Sequence, residues 1–143
     1  MSFGRRGSPQ YMTTHTPTST TVTNIGVTMF TVADQDTALD FYTGKLGWEV
    51  RGDTRFGPND EYRWLEVAPP GSTARLALNP PMGGGQPGGS GIGVETADVH
   101  GEYERLRALG GVQIDSEPES GPGSPLLFMI SDPDGNHIAV VEA

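Results

Sequence analysis

The segment NIGVTMFTVADQDTALDFYTGKLGWEV, residues 24–50, holds two hydrophobic periods in succession, and the change from one to the other decides the fold. From Asn24 to Val32 apolar and polar residues alternate, which is the period of a strand with one buried face. Ala33-Asp34 interrupts the alternation, and Ala38, Phe41, Tyr42 and Leu46 then recur at the spacing of an amphipathic helix. Asp34 is placed to cap that helix and Gly47 to stop it, because a carboxylate takes up free amides at a helix start and glycine tolerates the left-handed turn at its end.

The same order returns in GIGVETADVHGEYERLRALGG, residues 91–111, with a strand from Ile92 to Thr96 and Asp98 as the cap. A helix follows through Val99, Tyr103, Leu106 and Leu109, and Gly110-Gly111 stops it. Three short strands follow each helix. In the first half they are Trp48 to Thr54, Tyr62 to Ala68 and Thr73 to Asn79, with a Pro69-Pro70-Gly71-Ser72 turn before the last. In the second half they are Val112 to Ser116, Leu126 to Ser131 and His137 to Glu142. Asp132-Pro133-Asp134-Gly135-Asn136 makes the final hairpin, in which Pro133 presets the turn and Gly135 supplies a positive φ. The pattern predicts an α+β fold of two tandem βαβββ modules, residues 22–80 and 92–143. They form a cup-shaped curved mixed sheet with the helices on the outside, and a pocket in the cup is the expected seat of function.

Between the modules, residues 80–91 (PPMGGGQPGGSG within Pro80 to Gly91) have no apolar period and read as a Gly/Pro linker. Gly83 to Gly88 satisfies G-x-G-x-x-G, but a strand rather than a helix follows, so no pyrophosphate site is expected. Residues 1–21 are dominated by Thr, Ser, Pro, Gly and Arg and read as a disordered tail.

Composition narrows the chemistry. The 143 residues contain no cysteine and only three histidines, so any metal site must be built from His, Asp and Glu. A net charge of −9 repels phosphate backbones and argues against nucleic acid. No apolar run approaches the roughly 20 residues of a membrane span, and the N-terminus lacks the apolar core of a signal peptide, so a cytoplasmic protein is expected.

The run from Val32-Ala33-Asp34 through Phe41-Tyr42 to Leu46-Gly47-Trp48, paired with the Asp132-Pro133-Asp134-Gly135-Asn136 ending, closely resembles the glyoxalase, bleomycin-resistance and extradiol dioxygenase superfamily, also called vicinal oxygen chelate proteins. The resemblance covers about residues 22 to 143 and implies paired βαβββ modules and a homodimer. It also implies, in the enzymes, a divalent metal held by residues on the first and last strands of each module. The first-strand position, normally His or Gln seven residues before the capping Asp, falls on Val27 and, in the second module, on Gly91. The last-strand position, normally Glu, falls on Ala139, with its counterpart near Arg75 or Ala77. None of these side chains binds a divalent cation. No metal and no cofactor is expected.

Strand alternation places Val27, Met29 and Thr31 on the cup face, with Trp64, Glu66 and Arg75 beside them. From the second module it places Gly93, Glu95, His137, Ala139 and Val141 there. The candidate ligand-binding residues are therefore Met29, Trp64, Glu66, Arg75, Glu95 and His137. An aromatic face and carboxylates suit a flat or cationic ligand, and Arg75 suits a carboxylate. Each also has a plainer role: Trp64 in a core, Arg75 and Glu95 as solvated strand charges, His137 at a sheet rim. Glu102 and Glu104 face Arg105 and Arg107 as an ordinary solvent dressing. His15 and His100 are expected to be solvated.

The leading expectation is a metal-free protein that sequesters an aromatic or cationic small molecule. The alternative is a divalent-metal lyase, isomerase or dioxygenase with a displaced ligand set of Glu95, His137 and Glu66. Whether the chain is an enzyme stays open at this level.

Overall fold

The computed structural model describes residues 19–82 and 85–143. The expected tail therefore lies largely outside the described residues, as does His15, and residues 19–26 carry no regular structure. The first module comprises β1 (Val27–Thr31), α1 (Gln35–Asp40), β2 (Glu49–Phe56), β3 (Tyr62–Ala68) and β4 (Arg75–Asn79). The second comprises β5 (Gly91–Thr96), α2 (Val99–Leu109), β6 (Gln113–Ile114), β7 (Glu119–Gly121), β8 (Ser124–Ser131) and β9 (His137–Glu142). The α+β reading as tandem βαβββ units holds, with β7 as an extra short strand on β8.

The two sheets are ordered β1-β4-β3-β2 and β5-β9-β8-β6, so each first strand sits at an edge, parallel to the last strand of its own module. Parallel pairing needs a crossover connection longer than a hairpin, and the helix together with the strands that follow it supplies it. Asp34 caps α1 by accepting from the Asp36 amide, and Asp98 caps α2 by accepting from the Gly101 amide. After Asp40 the first helix widens into a π-type turn, Phe41–Lys45, which buries Phe41 and Tyr42. Gly47 (φ 78°) and Gly135 (φ 86°) adopt the left-handed conformation assigned to them.

Alternation sorts each strand into a helix face and an open face. Phe30, Leu65, Val67, Leu76 and Leu78 in the first sheet, and Phe128, Ile130, Ile138 and Val140 in the second, are buried and join Ala38, Phe41, Tyr42, Val99 and Leu106 in one apolar core. Burial of this surface is the main driving force for the fold.

A polar clamp joins the modules. The Tyr42 hydroxyl donates to Asp132 Oδ2 at 2.9 Å, and both residues are buried. Asp132 also accepts from the amides of Asp134 and Asn136 and from Asn136 Nδ2. Asn136 Nδ2 donates in addition to the Thr31 carbonyl at the end of β1. Arg105 donates to the carbonyls of Lys45 and Leu46, so this arginine reaches the first module besides pairing with Glu102. The second half of the linker is tied down as well: Gly88 N donates to Thr31 O, Gly89 N to Gly135 O and Ser90 N to Asn136 Oδ1. Among the described residues no helix is long and apolar enough to cross a membrane.

Candidate functional site

On the open face of the first sheet, register rather than sequence proximity assembles the site. Cross-strand partners share a face, and β2 and β3 pair Gly52 with Glu66, Thr54 with Trp64 and Phe56 with Tyr62. A bulge between Val50 and Gly52 resets the alternation of β2, which brings Phe56 onto the same face as Trp64. The Phe56 and Tyr62 rings lie 5.4 Å apart between centroids and are about half exposed, and Trp64 continues the aromatic row.

The row ends at a polar hub. Glu66, largely buried, accepts from Trp64 Nε1 at 2.8 Å and from Arg75 Nε at 2.9 Å. The ion pair holds the guanidinium in place, while its terminal nitrogens make no other hydrogen bond among the described residues. Across the sheet, Val27 pairs with Arg75 and Met29 with Ala77, and Met29 is 59% exposed. The first sheet thus brings Trp64, Glu66 and Arg75 into direct contact, with Met29 on the neighbouring rung beyond Ala77.

The second sheet places Glu95 and His137 apart. Parallel register pairs Gly91 with His137 and Glu95 with Val141, four rungs away. That is roughly 13 Å along the strand, too far for an acid/base pair. Glu66 belongs to the other sheet, and among the described residues no three His, Cys, Asp or Glu side chains gather as a metal-binding group. The displaced ligand set of Glu95, His137 and Glu66 is not assembled within one chain. At the positions where the superfamily resemblance puts metal ligands, Val27 stands beside Arg75, Gly91 beside His137 and Ala139 beside Gly93.

His137 has partners that the sequence did not reveal. Antiparallel pairing sets it opposite Ser131, whose hydroxyl lies 3.3 Å from Nδ1 and donates to Asp115 Oδ2 at 2.6 Å. The Ser131 bond, then a second from Gln113, holds the Asp115 carboxyl below its ordinary pKa, and His137 adds to the effect. Asp115 and Ser131 are 16 residues apart and meet only through the β6–β8 pairing, so no spacing signal marks them. Phe56 and Tyr62 were also missed. The Tyr62-Trp64-Glu66 alternation carried a signal for Tyr62, whereas the bulge concealed Phe56.

Between the modules lies a cleft of about 740 Å³, lined by residues that include Trp48, the Pro69–Ala74 turn, Arg75 and Glu95. Two of the candidate residues, Arg75 and Glu95, therefore border one space from opposite modules.

The chain matches the model of the Glyoxalase/Bleomycin resistance protein/Dioxygenase superfamily over residues 24–140. It is 34% identical over 117 residues to YetH of Bacillus subtilis (strain 168), spanning 80% of this chain and 94% of that protein. Among solved structures it is similar to a superfamily member from Sphaerobacter thermophilus, with 35% identity, a TM-score of 0.77 and coverage of 85% and 98% of the two chains. It is also similar to TnmS3, an antibiotic binding protein from Streptomyces sp. CB03234, with 31% identity, a TM-score of 0.75 and coverage of 87% and 98%.

Proposed function

Because the chain belongs to the Glyoxalase/Bleomycin resistance protein/Dioxygenase superfamily, we propose that it is a cytoplasmic protein that binds and sequesters a small aromatic molecule without a metal. The observation that carries this reading is the composition of the open face. An aromatic row, Phe56, Tyr62 and Trp64, leads to a fixed guanidinium at Arg75, and the first-strand ligand position beside it holds Val27. Stacking on the row supplies affinity, and the free N–H groups of Arg75 select a ligand oxygen bearing negative charge. Glu66 is already paired with Arg75 and is not free to select a cationic ligand on this face. The similarity to TnmS3, an antibiotic binding protein, supports sequestration over turnover.

A second copy of the chain completes the cup. In one chain Met29, Glu95 and His137 stand exposed, and β1 and β5 are edge strands of their sheets. Light scattering should return a dimer mass.

Isothermal titration in the presence of a chelator, against a panel of aromatic carboxylates and phenols, tests the function. Metal-independent binding that Trp64→Ala and Arg75→Gln each weaken is expected. Binding that appears only after a divalent ion is supplied, or stoichiometric metal lost on Glu95→Ala or His137→Ala, would establish the metal-dependent enzyme instead.

A further inference from the structure

The cleft between the modules is separate from the aromatic row and has a chemistry of its own. Its apolar wall comes from the half-buried Ile92 and Val94, with the core residues Val67 and Leu76 behind it, whereas Trp64, Met29 and His137 do not line it. Trp48 closes one end. Its amide donates to the Tyr42 carbonyl and its ring packs 5.2 Å from that of Tyr42, so the indole is fixed in position. A recess of about 190 Å³ opens beside the cleft and shares Trp48, Pro69, Pro70, Val94 and Glu95 with it. The larger space falls in the roughly 300–1,000 Å³ range of small-molecule sites.

Three charged groups border these spaces, and two already stand in ion pairs. Glu102 is bonded through both oxygens to Arg105, and Arg75 is paired with Glu66. Glu95 lines both the cleft and the recess and has no ion-pair partner among the described residues. A carboxylate and an indole ring on one apolar wall both favour positive charge, and the net charge of −9 concentrates cations around the protein.

We propose that this cleft is a second binding site, which takes a protonated lipophilic amine with its apolar body against Ile92 and Val94 and its ammonium at Glu95 and Trp48. The chain's two tryptophans separate the sites, since Trp48 reports on the cleft and Trp64 on the open face. The full-length protein, labelled with ¹⁵N at the tryptophan indoles, is titrated at pH 7 with octylamine and, in parallel, with neutral 1-octanol. Octylamine should move the Trp48 indole resonance and leave Trp64 in place. It should bind about tenfold more weakly to Glu95→Gln, with octanol affinity unchanged. Thr28→Phe, which narrows the cleft from the edge strand β1, should weaken both probes. A shift confined to Trp64 would overturn the proposal and leave the open-face site standing. Equal loss of octylamine and octanol in Glu95→Gln would overturn the charge selection. No response at either indole would overturn the proposal as well.

Discussion

Replacing Tyr42 by phenylalanine removes one hydroxyl from the clamp between the modules and leaves the ring in place. Tyr42 is fully buried, Asp132 is 3% exposed, and their 2.9 Å hydrogen bond joins a phenol to a carboxylate. A hydrogen bond to a charged group contributes about 1.5–3 kcal/mol. Asp132 keeps three other donors, from Asp134 N, Asn136 N and Asn136 Nδ2, so the lower half of that range applies. About 2 kcal/mol is expected, which for a domain of this size lowers Tm by roughly 6–10 °C. Urea unfolding should show the loss as a shifted midpoint with an unchanged slope.

The same contact fixes a pH signature. Burial, and then the charge and hydrogen bond of Asp132, raise the Tyr42 phenol well above the ordinary tyrosine value of about 10. A raised folded pKa means that the stabilisation is complete below the unfolded pKa and is lost as pH climbs above it. Wild type should therefore lose stability above roughly pH 10, and Tyr42→Phe should flatten that alkaline limb. A variant within about 0.5 kcal/mol of wild type, with an unaltered alkaline limb, would refute the role given to the clamp.

Asp132→Asn should cost more than Tyr42→Phe, roughly 2–4 kcal/mol, because the amide presents a donor where Tyr42 and Asn136 both point donors; urea titration ranks the two. At the acid end, Asp53 is held below its ordinary pKa by hydrogen bonds from Arg63, and Asp115 by Ser131. Their contribution is complete above the unfolded value of about 4 and is lost as pH falls through the depressed one, so Asp53→Asn and Asp115→Asn should each flatten the acid limb of a stability–pH curve. Gly88→Ala should destabilise by about 1–3 kcal/mol in thermal melts, since φ is 86° there and a Cβ would collide with the Asp134 carbonyl. Arg75→Gln should weaken aromatic carboxylates about tenfold by calorimetry and neutral aromatics far less, because it removes the planar fork and the ion pair to Glu66 but not the aromatic row.

By itself the sequence determined the modules. Each βαβββ unit is written locally, in a period-two strand, an Asp cap, a period-3.6 helix and a glycine stop, and these signals act within a dozen residues. It likewise determined which face of each strand is apolar, so Met29, Trp64, Glu66 and Arg75 were legible as open-face residues. Tertiary structure alone decided which of them meet. Glu66 touches Arg75 because β3 and β4 pair Glu66 with Ala77, two residues along from Arg75, and His137 meets Asp115 only through Ser131. Glu95 and His137 lie four rungs apart although both obey the same alternation. Register, a single bulge in β2 and the packing of one module on the other set those distances. They depend on contacts between residues far apart in the chain, which local periodicity does not encode.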